Sequence, residues 1–149
     1  MTLPEFYREP ARATRIALIA ESFDRLLGHP LVDGSGDVTA ALWSSPRPIV
    51  AHGTEPDPLF FFANQAALAQ FASDLQDFVG MPSRLSAEAP LREERQAFLD
   101  TVAEQGFVED YTGVRISAAG RRFVIRSGIV WNLADAAGRV HGQAATFEV

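Results

Sequence analysis

His52, Glu55 and Asp57 share one polar stretch, "HGTEPDP", and a histidine beside carboxylates can be drawn as a general base with its orienting acid. The favoured reading is plainer. Prolines place the stretch in a turn, where such side chains satisfy loop backbone. There is no Gly-x-Ser-x-Gly elbow, so hydrolysis through a serine nucleophile has no signature. His29, His52 and His141 are widely spaced and form no paired ligand motif for a metal. "DGSGDVTAALWS" opens like a calcium loop but has Val38 where that loop needs glycine and Ser44 where it needs glutamate. The chain contains no cysteine, which excludes disulfides, thiolate nucleophiles and cysteinyl cofactor adducts. It contains no lysine; all 13 basic residues are arginine, which excludes Schiff-base chemistry.

What these residue types still permit is a pocket that binds without reacting, apolar with a few placed polar groups. The candidates for its polar groups are His52, Asn64, Arg84, Arg115, Trp131 and Gln143. Three of them have structural alternatives. Asn64 suits a helix cap, Trp131 suits the core of a sheet, and Arg84 can pair with Glu88 one helical turn away. Arg95 falls on the apolar stripe of a helix. Its expected behaviour is to lay its stem over the core and surface, the alternative being an internal acid or anion.

The elements that must position these groups follow from periodicity. Ile16, Ile19, Phe23, Leu26 and Leu27 recur at helical spacing over 10–28, with Pro10 in the first turn and Gly28 as the stop. "VDGSGD" is a loop, and "VTAALWSS" a short helix ended before Pro46. "RPIVAHG" and "PLFFFA" are short strands around a turn, and Asn64 opens a helix with Ala67, Leu68 and Phe71 on its apolar side. "SDLQDFVGMPSRLS" is a short helix and loop. A longer helix spans 89–105, with Pro90 in its first turn, Gly106 past its end, and Leu91, Phe98, Leu99 and Val102 as its stripe. The last third is β: "FVEDYTGVRIS", "RRFVIRSGIVWNL" and "RVHGQAATFEV" are joined by short glycine-bearing turns, so neighbours run antiparallel. The first two strands must join the last three, because an isolated hairpin is marginal. The fold class is α+β: a five-stranded antiparallel sheet with helices over one face.

At 149 residues the chain is one domain with ordinary globular composition, 47% hydrophobic and 21% charged. No apolar run approaches the roughly 18 residues of a membrane span, and "MTLPEFYREPARATR" has no apolar core of a secretory signal. The expected location is cytoplasmic, without a membrane partner. A net charge of −6 argues against nucleic acid; "GRRFVIR" with Arg115 and Arg139 reads as a solvated strand face.

This order of elements, with its particular words, resembles the PAS superfamily. "LFFFANQAALAQF…DFVGM" matches its aromatic strand, Asn cap, helix and helix-ending glycine, and "GVRISAAGRRFVIRSGIVWNLADAAGRVHGQAATF" its closing strands. More narrowly, "HGTEPDPLFFFAN", "MPSRLSAE", "REER" and "GQAATF" resemble the MEKHLA domain, a PAS-like domain, over about residues 12–149. The resemblance implies a flanking N-terminal helix and loop over 1–35, a PAS-like domain over 36–149, and a homodimer made through that helix. It implies Arg84 beside the pocket mouth, where a guanidinium grips carboxylate or phosphate. It also bears on cofactors. "GMPSRLS" stands where light-oxygen-voltage domains place a flavin-reactive cysteine, but Ser83 holds that position, so flavin is left open only without a cysteinyl adduct. Gln143 directly follows Gly142, and period-2 geometry turns it to the face opposite the flavin-contacting glutamine of those domains. Haem ranks below flavin, because none of the histidines lies between residues 64 and 105. The expected function is a stand-alone sensory domain, not an enzyme, that binds a small molecule between sheet and helices. The sequence stops at Val149 in its last strand, so the expected output is association. The alternatives are a ligand-free protein-interaction module and, below it, a small enzyme using the same pocket.

Overall fold

The computed structural model describes residues 2–33, 36–88 and 91–149. Helix α1 (Pro10–Leu27) begins on a proline whose missing N–H costs nothing in a first turn. It ends at Gly28, which takes φ 79° and donates its N–H to the Asp24 carbonyl. Helix α2 (Val38–Ser44) is capped by Asp37, whose carboxylate accepts from the N–H groups of Thr39 and Ala40. The chain then runs through β1 (Ile49–His52), β2 (Phe60–Ala63), α3 (Gln65–Gln70), α4 (Leu75–Phe78), α5 (Arg92–Gln105), β3 (Phe107–Ile116), β4 (Arg122–Ala134) and β5 (Val140–Glu148). Single 3₁₀ turns cover Glu5–Arg8 and Ser83–Ser86. Pro90 and the expected first turn around it lie outside the described residues, as do Gly34 and Ser35 of the expected loop.

The five strands form one antiparallel sheet in the order β2-β1-β5-β4-β3, so the two early strands do join the three late ones. Helices α4 and α5 lie on one face. Phe60 stacks on Phe78 of α4 with centroids 4.3 Å apart, and α5 contributes Leu99 and Val102 to a cluster with Val130. Helix α1 covers the other face. Trp131 is fully buried there, donates its indole N–H to the Ile19 carbonyl at 3.1 Å, and meets the Phe23 ring edge-on at 4.9 Å. Ser22 Oγ, also buried, accepts from the Ala134 N–H at 2.9 Å. The apolar stripe of α1 is thus buried on the chain's own sheet.

The three phenylalanines of β2 do not keep strict alternation: Phe60 stands on the cavity side, and Phe61 and Phe62 both lie on the α1 side. Phe60 faces α4, and Phe61 lies the other way, beneath the Arg15 guanidinium of α1 at 4.0 Å. Phe62 packs on Tyr7 at 4.9 Å. The register slips at this point: Ala51 pairs with Phe62 and His52 with Phe60, leaving Phe61 as the extra residue.

Candidate functional site

Side chains that are register partners on neighbouring strands stand on the same face of a sheet. His52 on β1, Gln143 on β5 and Asn132 on β4 are such partners, and they form one polar row across three adjacent strands. The next row, Val50, Ala145 and Val130, is apolar. The polar row is tied to α5 above it. Gln143 Nε2 donates to the Leu99 carbonyl at 3.1 Å and to Asn132 Oδ1 at 3.2 Å, and Asn132 Nδ2 donates to the Ala103 carbonyl at 3.2 Å. Gln143 is thus directed at the helices, not away from them as its adjacency to Gly142 suggested. The reason is a bulge: Leu133 pairs with Gly142 but Ala134 with Val140, so His141 is an extra residue, and Gly142 takes φ 143° beside it.

Between this face and α5 lies a cavity of about 50 Å³. Its walls include Phe60, Phe71, Leu99, Ile125 and Val130, and its polar lining includes His52, Arg95, Arg115 and Gln143. His52 is 9% exposed. Its Nδ1 lies 3.0 Å from the Gly53 carbonyl and must donate to it, so the neutral ring keeps Nε2 as an acceptor. That Nε2 is buried without a partner. Burial pushes the His52 pKa below its ordinary value, and the Arg95 charge adds to the effect. The Gly53 carbonyl, Glu55 and Gln143 oppose it without overcoming it.

Arg95 is the residue on which sequence reasoning misled. It does not surface; it is 8% exposed, with a fully buried Nε that has no hydrogen-bond partner. Among the described residues no carboxylate pairs with it, and its helix neighbours Glu93 and Glu94 are exposed. Burial lowers its pKa to about 10; the nearby Arg115 charge pushes the same way and Tyr111 opposes. The sequence signal was present, since an arginine on an apolar helical stripe must either snorkel or enter the core. Position decided it: the stripe of α5 faces β3 and β4. Arg115 stands at the same cavity, donating to its own neighbour's carbonyl, Val114, at 2.8 Å and to Tyr111 Oη at 3.3 Å.

The structure does not bring the other candidates to this cavity. Arg84 Nε bonds both Asp57 oxygens at 3.2 Å on the surface, while Glu88, its expected partner, is taken by Arg122. Asn64 is fully buried and saturated: Oδ1 accepts from Ala67 and Ile49 N–H, and Nδ2 donates to the Leu42 and Arg47 carbonyls. Trp131 faces α1. No base and orienting acid are assembled, because Glu55 accepts from the Leu59 N–H and Asp57 holds Arg84. Among the described residues no group of three or more His, Asp or Glu could hold a metal, and no helix is long and apolar enough to cross a membrane.

A family model described as the MEKHLA domain matches residues 13–149. No curated protein sequence matches the chain. Among solved structures, the PAS domain of a protein from Colwellia psychrerythraea superposes with a TM-score of 0.63 at 14% identity, covering 72% of this chain and 89% of that one. An RNA-binding light-oxygen-voltage receptor gives 0.66 at 20% identity, over 80% of this chain and 36% of the receptor. A variant of the photoreceptor Vivid gives 0.61 at 15% identity, over 88% of this chain and 99% of Vivid. These likenesses show a PAS-like fold. The residues do not fit the flavin that the sequence resemblance left open. A cavity that just admits benzene measures about 150 Å³, and this one, at about 50 Å³, has no room for a three-ring system. Ser83, at the position of the reactive cysteine, is not part of the cavity wall.

Proposed function

Since this chain belongs to the MEKHLA domain family, we propose that it is a sensory domain reading a small molecule held between the sheet and α5. One observation carries the reading: an apolar cavity is bordered by buried polar atoms, His52 Nε2 and Arg95 Nε, that make no hydrogen bond among the described residues. Folded proteins leave few such groups unpaired, because each costs about 1–3 kcal/mol or more. A ligand that supplies the missing bonds stabilises the form of the domain that binds it. The polar row couples it to α5, because Gln143 and Asn132 bond carbonyls of that helix. Occupancy then biases how α5 sits on the sheet, and the output is association with a second copy or another protein.

Native mass spectrometry of the purified chain, with thermal melts against a library of small metabolites, tests this. The expected result is a colourless protein with a small mass released on denaturation, or a melting temperature that rises with one class of compound. A chain with no releasable mass, whose melting answers to no compound small enough for the cavity, refutes the reading.

A further inference from the structure

Arg95 is more than nine-tenths buried, its Nε makes no hydrogen bond, and among the described residues no carboxylate pairs with it. Buried charges in folded proteins are paired, since an uncompensated one is strongly unfavourable. Among the described residues none supplies that partner, and an anion from outside the chain would. Its route is visible. A surface groove of about 240 Å³ between the start of α5 and β3 shares Arg95, Tyr111 and Arg115 with the cavity, so the guanidiniums stand between solvent and interior. Behind them the wall is apolar, formed by Phe60, Phe71, Leu99 and Ile125. At about 50 Å³ the interior is a third of the roughly 150 Å³ that takes a benzene ring, so it admits a tail of a few carbons and no ring. Phosphate or sulfate would satisfy the charge and leave the apolar wall without a complement.

Resting on the cavity reading above, we propose that the ligand is a short-chain aliphatic monocarboxylate, its carboxylate held by Arg95 and its tail in the cavity. A carboxylate matches the planar donor fork of a guanidinium and forms charge-assisted bonds. Arg115, which keeps two of its donors on Val114 and Tyr111, lines the same entrance and adds a second positive charge. Glu94 lines the groove as well and disfavours ligands of higher negative charge.

The experiment is a thermal-melt and calorimetric titration of the full chain with sodium acetate, propionate and butyrate. Benzoate, phosphate and neutral propionamide are the comparisons, with sodium chloride at matched ionic strength as control. Short carboxylates should raise the melting temperature in a saturable way, with benzoate and phosphate no better than chloride. Propionate should bind roughly 10- to 100-fold more tightly than propionamide, the worth of a hydrogen bond to a charged group. Arg95→Met should melt normally and lose the same factor for propionate while keeping propionamide unchanged. If propionamide binds as well as propionate, or phosphate binds best, the carboxylate proposal falls and the cavity reading stands. If none of the compounds differs from chloride, the carboxylate proposal falls with no support left for a small anion. The comparison of propionate with propionamide uses the unaltered chain and decides even if Arg95→Met does not fold.

Discussion

At His52 one buried ring nitrogen sets a pH response. The unfolded chain titrates this residue near pH 6.5, and burial holds the folded ring lower. Below about pH 6.5 the unfolded chain binds a proton that the folded chain refuses, so stability falls with pH until the folded ring protonates. The groups that face the ring are Arg95, which opposes protonation, and Glu55, the Gly53 carbonyl and Gln143, which favour it. Denaturant unfolding at about pH 7.5 and pH 5.5 should show the native chain losing more stability than His52→Gln between the two conditions. Parallel losses in the two proteins would sink this account of the ring. The same scale shows what the sequence could convey about the site. His52, Arg115 and Gln143 are legible as polar residues of a pocket, and all three line it. Arg84 is not there because Asp57, from the preceding turn, reaches it first, a contact over 27 positions that no local pattern announces. Arg95 was legible as an arginine on an apolar stripe. Whether such a stem surfaces depends on what lies above it, and here Arg95 ends between the cavity and the groove beside β3.

The element that most constrains this site is β5, and its critical position is Gly142. It takes φ 143°, which side chains other than glycine avoid, and a Cβ there would collide with the His52 carbonyl oxygen across the β1–β5 pair. The bulge at His141 and this glycine together let β5 approach β1 closely and set Gln143 beside His52 on the α5 side. Gly142→Ala should therefore cost about 2–4 kcal/mol, within the range for forced backbone strain and overpacking. A melting curve that superposes on the native one would refute the packing argument. Element types and order were readable because both periods are strong in this chain, and glycines end α1 and α5 where the stripes stop. The bulges were not readable. A register slip such as that at Phe61 changes no residue's propensity; it is decided by which neighbour the strand meets.

Over the whole molecule, the arrangement is three layers, with the sheet between α1 and the helices of the cavity. The family match begins at residue 13, inside α1, which fits a helix that belongs to the domain's core. Ile16, Ile19 and Phe23 are each no more than 1% exposed, and Trp131 beneath them is fully buried. Burying large apolar side chains contributes about 1.5–3 kcal/mol each, so this layer's share is comparable to the ~5–15 kcal/mol net stability of a domain. The turn before α1 adds a polar clasp. Tyr7 Oη donates to the Ala63 carbonyl and accepts from the Ala63 N–H, both at 3.0 Å, which closes the edge of β2 at that residue. Burial raises the Tyr7 pKa, so the hydroxyl stays protonated and able to donate. Removing residues 1–28 should expose Trp131 and Phe61 together and leave a chain without cooperative unfolding. Circular dichroism melts and size-exclusion chromatography read this directly. A truncated chain that folds cooperatively as a dimer would show that a second copy can replace α1 on the outer face. One that folds cooperatively as a monomer would show that the sheet and the cavity helices suffice, and either result would end the argument that α1 is a structural layer of the domain.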